Sequence, residues 1–217
     1  MDVYEAIEKR RTTRKFKGGI SDAQLHKLLL AGVRAPSGSN VQPWEFIVID
    51  DPKIIEQIAD HKYRQTLKMM IDQMVINDPT IIEKIFEQSL EPLSQKGMAK
   101  AQRDNYLNST VIAVCNKKGH GISRKPWMNV ENIASTWMCI ENMALAATAD
   151  GLGTQISILR EEHKIAVEKL LGVPEDYELA TMLLIGMKKR EEKKKLLGGL
   201  RPVDSWLHKN RFGNRTK

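Results

Sequence analysis

Two rhythms of apolar positions run along the chain and divide it into helices and strands. Behind Asp2, a helix-capping residue, Val3, Ala6 and Ile7 fall on one face and predict a helix to about Arg10. Ser21-Asp22-Ala23-Gln24 reads as a capping box, opening a second helix with Leu25, Leu28, Leu29 and Gly32 inward. Ala35 to Asn40 cannot continue that helix and predicts a loop. Phe46 to Ile49 is short, continuous and rich in β-branched residues, the pattern of a strand buried on both faces. Asp51-Pro52 then opens a helix to about His61.

Residues 63–106 are less regular, with helical patterns over 66–76 and 80–90 interrupted by Asp78-Pro79 and Glu91-Pro92. A second buried strand is predicted from Thr110 to Cys115, followed by a polar loop to Pro126. Asn129 to Ala149 is the longest predicted helix, apolar over most of its girth through Ile133, Trp137, Ile140, Met143, Ala144 and Ala147; such a helix is central to its domain or shared with a partner. Gly151-Leu152-Gly153 ends it, Thr154 to Ile158 forms a strand, Glu161 to Leu171 a helix, and Leu179 to Met187 a final central strand. Without repeats or low-complexity linkers, this order predicts one α+β domain over residues 1–217 with a basic tail.

Composition narrows the class. Of 217 residues 41% are hydrophobic, enough to exclude disorder as the main state, and no run of about 18 apolar residues predicts a membrane span. Cys115 and Cys139 lie far apart and no apolar leader follows Met1, so the expected compartment is a reducing cytoplasm. The net charge of +7 suggests a polyanion until its distribution is counted. Residues 188–217 hold 11 Lys/Arg against 3 Asp/Glu, while the other 187 residues are close to neutral. Within those, Lys9 to Lys17 holds six basic residues and no acid. Two basic ends without interleaved aromatic residues argue against a nucleic-acid-binding module, which the pI alone motivates, and suit convergence on one small anion. Lys188 to Arg190 and Lys193 to Lys195 read as a solvated surface loop.

The five histidines, His26, His61, His120, His163 and His208, share no ligand spacing, so no metal site is expected. Neither a nucleophile elbow nor a glycine-rich phosphate loop is present. Arg10-Arg11-Thr12-Thr13-Arg14 sets three guanidinium groups beside two hydroxyls, the chemistry that holds a phosphate monoester; the same run also serves as a basic helix end facing its own dipole. Pro36-Ser37-Gly38-Ser39-Asn40-Val41-Gln42-Pro43-Trp44 is fixed by two prolines and leaves polar groups for the edge of a planar ligand, or is an ordinary helix-to-strand loop.

These two segments, in this order, resemble the nitroreductase family of flavin enzymes. Further matches are Asn142 to Ala147 leading to Gly151-Leu152-Gly153-Thr154, then Leu171-Gly172-Val173-Pro174, Leu183 to Gly186 and Arg201-Pro202. The resemblance covers nearly the whole chain except about residues 63–106. It implies a nitroreductase-like fold with a central, mostly antiparallel sheet flanked by helices, in an interlocked homodimer that binds FMN between subunits. On that pattern Arg10, Arg11 and Thr12, with Arg201 from the tail, grip the phosphate and ribityl chain, and Arg14 lies near the N1 and O2 edge of the ring. Pro36, Ser37, Gly38 and Asn40 come from the other subunit. Backbone amides about Ile156, Ser157 and Ile158 face the N5 side.

Residues 63–106 become a variable helical excursion that covers the site, with Met69, Met70, Met74 and Phe86 as an adaptable lining or as plain helix core. Residues 188–217 become an extension reaching the partner subunit. The implied reaction passes hydride from NAD(P)H through flavin N5 to a small-molecule acceptor such as a nitroaromatic or quinone, in ping-pong fashion and with no side chain assigned as catalytic. Specialised flavin chemistry on the same fold, reductive dehalogenation or flavin fragmentation, is the alternative. Two positions depart from the family pattern: Thr12 replaces the more usual Ser, and Gly199 stands where many members carry a basic residue.

Overall fold

In the computed structural model, residues 1–77, 97–119, 126–189, 201–202 and 205–214 are described. Asp2 Oδ1 accepts from Glu5 N–H at 2.9 Å and opens α1 (Val3–Lys9). Ser21 and Gln24 form the expected reciprocal capping box of α2 (Asp22–Gly32). There follow β1 (Trp44–Ile49), α3 (Pro52–Asn77), α4 (Met98–Leu107), β2 (Thr110–Lys117), α5 (Pro126–Ala149), β3 (Gly153–Ser157), α6 (Glu161–Leu170) and β4 (Tyr177–Gly186).

The strands make one sheet in the order β1-β2-β4-β3, antiparallel at every pairing. Alternation along β2 and β4 splits their side chains into two apolar layers. Val111, Ala113, Cys115, Met182 and Leu184 pack with Ile58, Ala59, Tyr106 and Val167 beneath α3, α4 and α6. Ile112, Val114, Leu183 and Ile185 pack with Leu28, Ile140, Met143 and Ala147 beneath α2 and α5. The domain is thus a sheet between two helical layers, the expected α+β arrangement.

Three expectations need correction. Phe46 to Ile49 is not buried on both faces: among the described residues β1 is an edge strand, with Glu45 and Val48 exposed. A continuous apolar run marks a strand but does not say how many neighbours it has. The helix opened by Pro52 does not stop near His61. It runs on through the pattern at 66–76, because no glycine or proline interrupts 53–77 and the polar stretch Lys62-Tyr63-Arg64-Gln65 is helix-tolerant. Helix α4 falls in the helical excursion expected over 63–106 but outside the two patterns at 66–76 and 80–90, because its inward face mixes Ala99 and Tyr106 with Asn105 and so hides the apolar period. Met69 is 50% exposed and is not core, while the pattern at 80–90, Met74 and Phe86 lie outside the described residues or side chains.

Candidate functional site

The arginine run is carried to the sheet by an extended segment between α1 and α2. Thr12 bridges to Thr154, with Thr13 N–H donating to the Thr154 carbonyl at 2.8 Å. Further on, Lys17 N–H donates to Met187 O at 3.0 Å, Met187 N–H to Gly18 O at 2.9 Å and Lys189 N–H to Lys15 O at 3.0 Å. The segment therefore closes over the start of β3 and the end of β4. Lys188 and Lys189 belong to this pairing rather than to a free surface loop, and Arg190 to Gly199 lie outside the described residues.

The three guanidiniums have different surroundings. Arg10 Nε meets Glu141 Oε1 of α5 at 3.1 Å, engaging one of its five N–H donors. Arg11 Nη1 donates to the carbonyls of Glu8 and Arg10, the second at 2.7 Å, so this side chain does cap the C-terminus of its own helix. Arg14 lines a cavity of about 280 Å³ with Phe16, Asp104, Asn105 and Lys189. Thr12 is exposed beside them. Arg201 is exposed, its carbonyl accepting from Trp206 Nε1 at 3.3 Å; no hydrogen bond or ion pair among the described residues joins it to the arginine run.

Pro36, Ser37, Gly38 and Asn40 lie elsewhere. Their loop enters β1, whereas the arginine run sits at β3, on the opposite edge of the sheet. Three strand spacings separate those edges by roughly 14 Å. Helix α5 gives the same scale independently: Glu141 meets Arg10, while Glu131, ten residues away and so roughly 15 Å along the axis, lies against Gly38. The loop is tightly wound, with Ser37 Oγ accepting from Gln42 N–H at 3.0 Å. Ser39, Asn40 and Gln42 take φ values of 50°, 56° and 49°, left-handed backbone that non-glycine residues adopt at a cost.

Ile156, Ser157 and Ile158 follow Thr154, the residue of β3 that bonds the arginine segment. Thr154 turns its carbonyl to Thr13, so strand alternation turns the Ile156 backbone to the same open edge. Ser157 points the other way, accepting from Tyr106 Oη at 2.9 Å, and burial pushes that phenol's pKa up. Beside it Asn105 Nδ2 donates to Gln155 Oε1 at 2.7 Å, and Gln155 Nε2 to Gln102, a buried polar patch that ties α4 to β3. At the corner beyond β3, the Ile158 carbonyl accepts from Lys62 Nζ at 3.0 Å and Gln65 Nε2 at 3.1 Å. Arg160 N–H donates to Gln65 Oε1 at 2.7 Å. Among the described residues, no hydrogen bond uses the N–H of Ile158 or Leu159. Lys62 and Gln65 escaped the sequence reading because a polar helix face carries no motif.

His61 and His163, distant in sequence, meet between α3 and α6 with their Nδ1 atoms 3.3 Å apart. One ring must donate and the other accept, so double protonation breaks the pair. Burial, then His163 and Arg64, hold the His61 pKa below its ordinary value. The unfolded chain therefore takes up this proton first as pH falls, and stability is lost from about pH 6.5 downward through the folded value. Thermal unfolding midpoints followed from about pH 7.5 to 5 are expected to fall less in His61→Gln than in the wild type; parallel curves would count against the pair. Among the described residues no group of three His, Cys, Asp or Glu is placed to hold a metal, and no helix is long and apolar enough to cross a membrane.

Comparison with known proteins places this geometry in context. The nitroreductase family model matches residues 7–187. An Archaeoglobus fulgidus protein provisionally named NADH dehydrogenase/NAD(P)H nitroreductase is 27% identical over 195 residues, covering 88% of each chain. The iodotyrosine deiodinase of Thermotoga neapolitana is 26% identical, over 85% of this chain and 87% of that one. Among solved structures, an iodotyrosine deiodinase bound to FMN and 3-iodo-L-tyrosine superposes with a TM-score of 0.64 at 23% identity, covering 93% of this chain and 97% of that one.

Proposed function

The chain belongs to the nitroreductase family, and from that premise we propose that it is an FMN-dependent oxidoreductase passing hydride from NAD(P)H to a small-molecule acceptor such as a nitroaromatic or quinone. One observation carries the reading: the segment bearing Arg10, Arg11 and Arg14 is hydrogen-bonded to the edge of β3, at whose corner the Ile158 and Leu159 N–H groups have no hydrogen-bond partner among the described residues. Guanidinium forks for a phosphate and backbone donors for a ring edge thus lie along one strand, and this donor set fits FMN.

Bound FMN supplies the hydride chemistry through ring N5. Arg10, Arg11 and Thr12 hold the phosphate and ribityl chain, with Arg201 from the tail. Arg14 offers a cation to the N1 and O2 edge. The backbone of Ile156, Ser157 and Ile158 faces the N5 side, and the partner subunit's Pro36, Ser37, Gly38 and Asn40 close the other side. The separation of roughly 14 Å between one protomer's loop and its own arginine run supports the last assignment.

A homodimer is supported by the apolar face that α1 and α5 leave open. Val3, Tyr4, Ile7, Val130, Ile133 and Met138 are all 38–82% exposed, and covering what remains of each is worth about 1 kcal/mol. Cys115 and Cys139 are free and buried, burial raising their thiols to about 11 and about 12, so neither asks for an oxidising compartment. The cytoplasm is the proposed location.

The visible spectrum of the purified protein tests the reading. A yellow protein, bleached by NADH or NADPH and recoloured by a quinone or nitroaromatic, is the expected result. A colourless protein that takes up no added FMN overturns it. The similarity to an iodotyrosine deiodinase over most of both chains favours a second reading, reductive dehalogenation. Reduced protein recoloured by a halophenol, but not by quinones or nitro compounds, would select that one.

A further inference from the structure

One face of α3 grips the corner between β3 and α6. Lys62 and Gln65 both donate to the Ile158 carbonyl, and Gln65 also accepts from Arg160 N–H, so its amide bonds the backbone on both sides of Leu159 as a neighbouring strand would. Around this clamp His61 meets His163, and Lys68 reaches Glu162 at 3.4 Å. Glu161, next in the chain, has φ of 50°, so the corner is held in a conformation it would not adopt unaided. A trans peptide is planar with C=O and N–H on opposite sides. Fixing the Ile158 carbonyl toward α3 therefore turns the Leu159 N–H away from it.

We infer that Lys62 and Gln65 are positioning residues that hold the Ile158–Leu159 peptide so that its N–H is presented to the reactive edge of the bound cofactor. The inference rests on the FMN reading above. Stability alone gives little reason for Lys62 at this place: burial, then Arg160, pushes its pKa down to about 8, so the ammonium is held at a cost that an apolar residue would avoid. Gln65 likewise does more than cap α6, since capping needs only its oxygen on Arg160 N–H while its nitrogen is spent on Ile158.

The test uses the full chain loaded with FMN, in the variants Gln65→Ala, Gln65→Glu, Lys62→Met and Lys62→Arg. Readouts are the FMN dissociation constant from flavin fluorescence, the bound-flavin spectrum and midpoint potential, and amide hydrogen exchange over residues 157–161, with thermal unfolding as the check on folding. Gln65→Glu keeps an acceptor for Arg160 N–H but cannot donate to Ile158; it also carries the comparison should Gln65→Ala not fold. Expected are faster corner exchange, FMN binding weakened by about tenfold or more, and a displaced potential in both Gln65 variants. Lys62→Met should follow them and Lys62→Arg should recover. Faster corner exchange with FMN affinity, spectrum and potential unchanged would reduce the clamp to a cap on α6 and overturn the inference alone. A wild-type chain that takes up no FMN would overturn the functional reading, and the inference with it.

Discussion

Gly186→Ala is expected to loosen the arginine segment and lower both stability and FMN affinity. A Cβ at Gly186 would fall inside the envelope of the Gly18 carbonyl oxygen and meet Phe16 Cδ1 at 3.1 Å. A backbone carbonyl cannot rotate aside as a side chain can, so residues 16–18 must retreat from the end of β4. That would strain the bond between Met187 N–H and Gly18 O and displace Phe16, which is 4% exposed in the core. Overpacking of this kind costs about 1–3 kcal/mol, and each kcal/mol lowers Tm by about 2–4 °C at this chain length. The moved segment carries Arg14, so affinity for FMN should fall with stability. Gly172→Ala is the control, since its φ of 66° carries backbone strain but nothing lies within 4 Å of the added carbon and no site residue is attached. Gly186→Ala with the same affinity as Gly172→Ala would dissociate the site from this mooring.

Arg10→Ala should weaken FMN binding by about 10- to 100-fold, the scale of losing a hydrogen bond to a charged group. Its interpretation depends on Glu141, whose carboxylate occupies Arg10 Nε. If Arg10 serves only as a tie between α1 and α5, then Arg10→Ala and Glu141→Gln should behave alike, each costing no more than the ~1 kcal/mol of an exposed pair. If Arg10 holds the phosphate, Glu141→Gln removes a competing negative charge and leaves affinity equal or tighter, while Arg10→Ala loses it. Titration of the three apoproteins with FMN separates these outcomes.

How far the sequence discloses the molecule depends on whether the deciding interactions are local. Ser21 with Gln24 and Gly151 at the end of α5 act within one turn, and each boundary lies where the sequence predicts it. The central strands β2 and β4 are legible because burial on both faces leaves an unbroken apolar run. By contrast, β1 and β2 look alike in sequence and differ only in the number of strands beside them. At the site, the arginine run and the proline-flanked loop declare their chemistry, but their separation to opposite edges belongs to topology. The clamp of Lys62 and Gln65 and the pairing of His61 with His163 depend on α3 crossing near α6, about a hundred residues away in the chain. The capping by Arg11 is local but equally unmarked: its guanidinium turns back on the carbonyls of Glu8 and Arg10, a choice that a run of basic residues does not disclose.

The mooring of residues 12–18 also bears on the order in which the chain folds. Its partners are Thr154, Met187 and Lys189, some 140 to 175 residues distant. Contacts that close loops of this size form late, because the chain must first surrender the freedom of everything between them. During synthesis Arg10 to Arg14 leave the ribosome well before their docking strand, which is completed only after β4 and the residues behind it have emerged. A nascent chain thus has no assembled edge at this place until β3 and β4 have both been made, and on the proposed reading retention of FMN is expected to report finished folding.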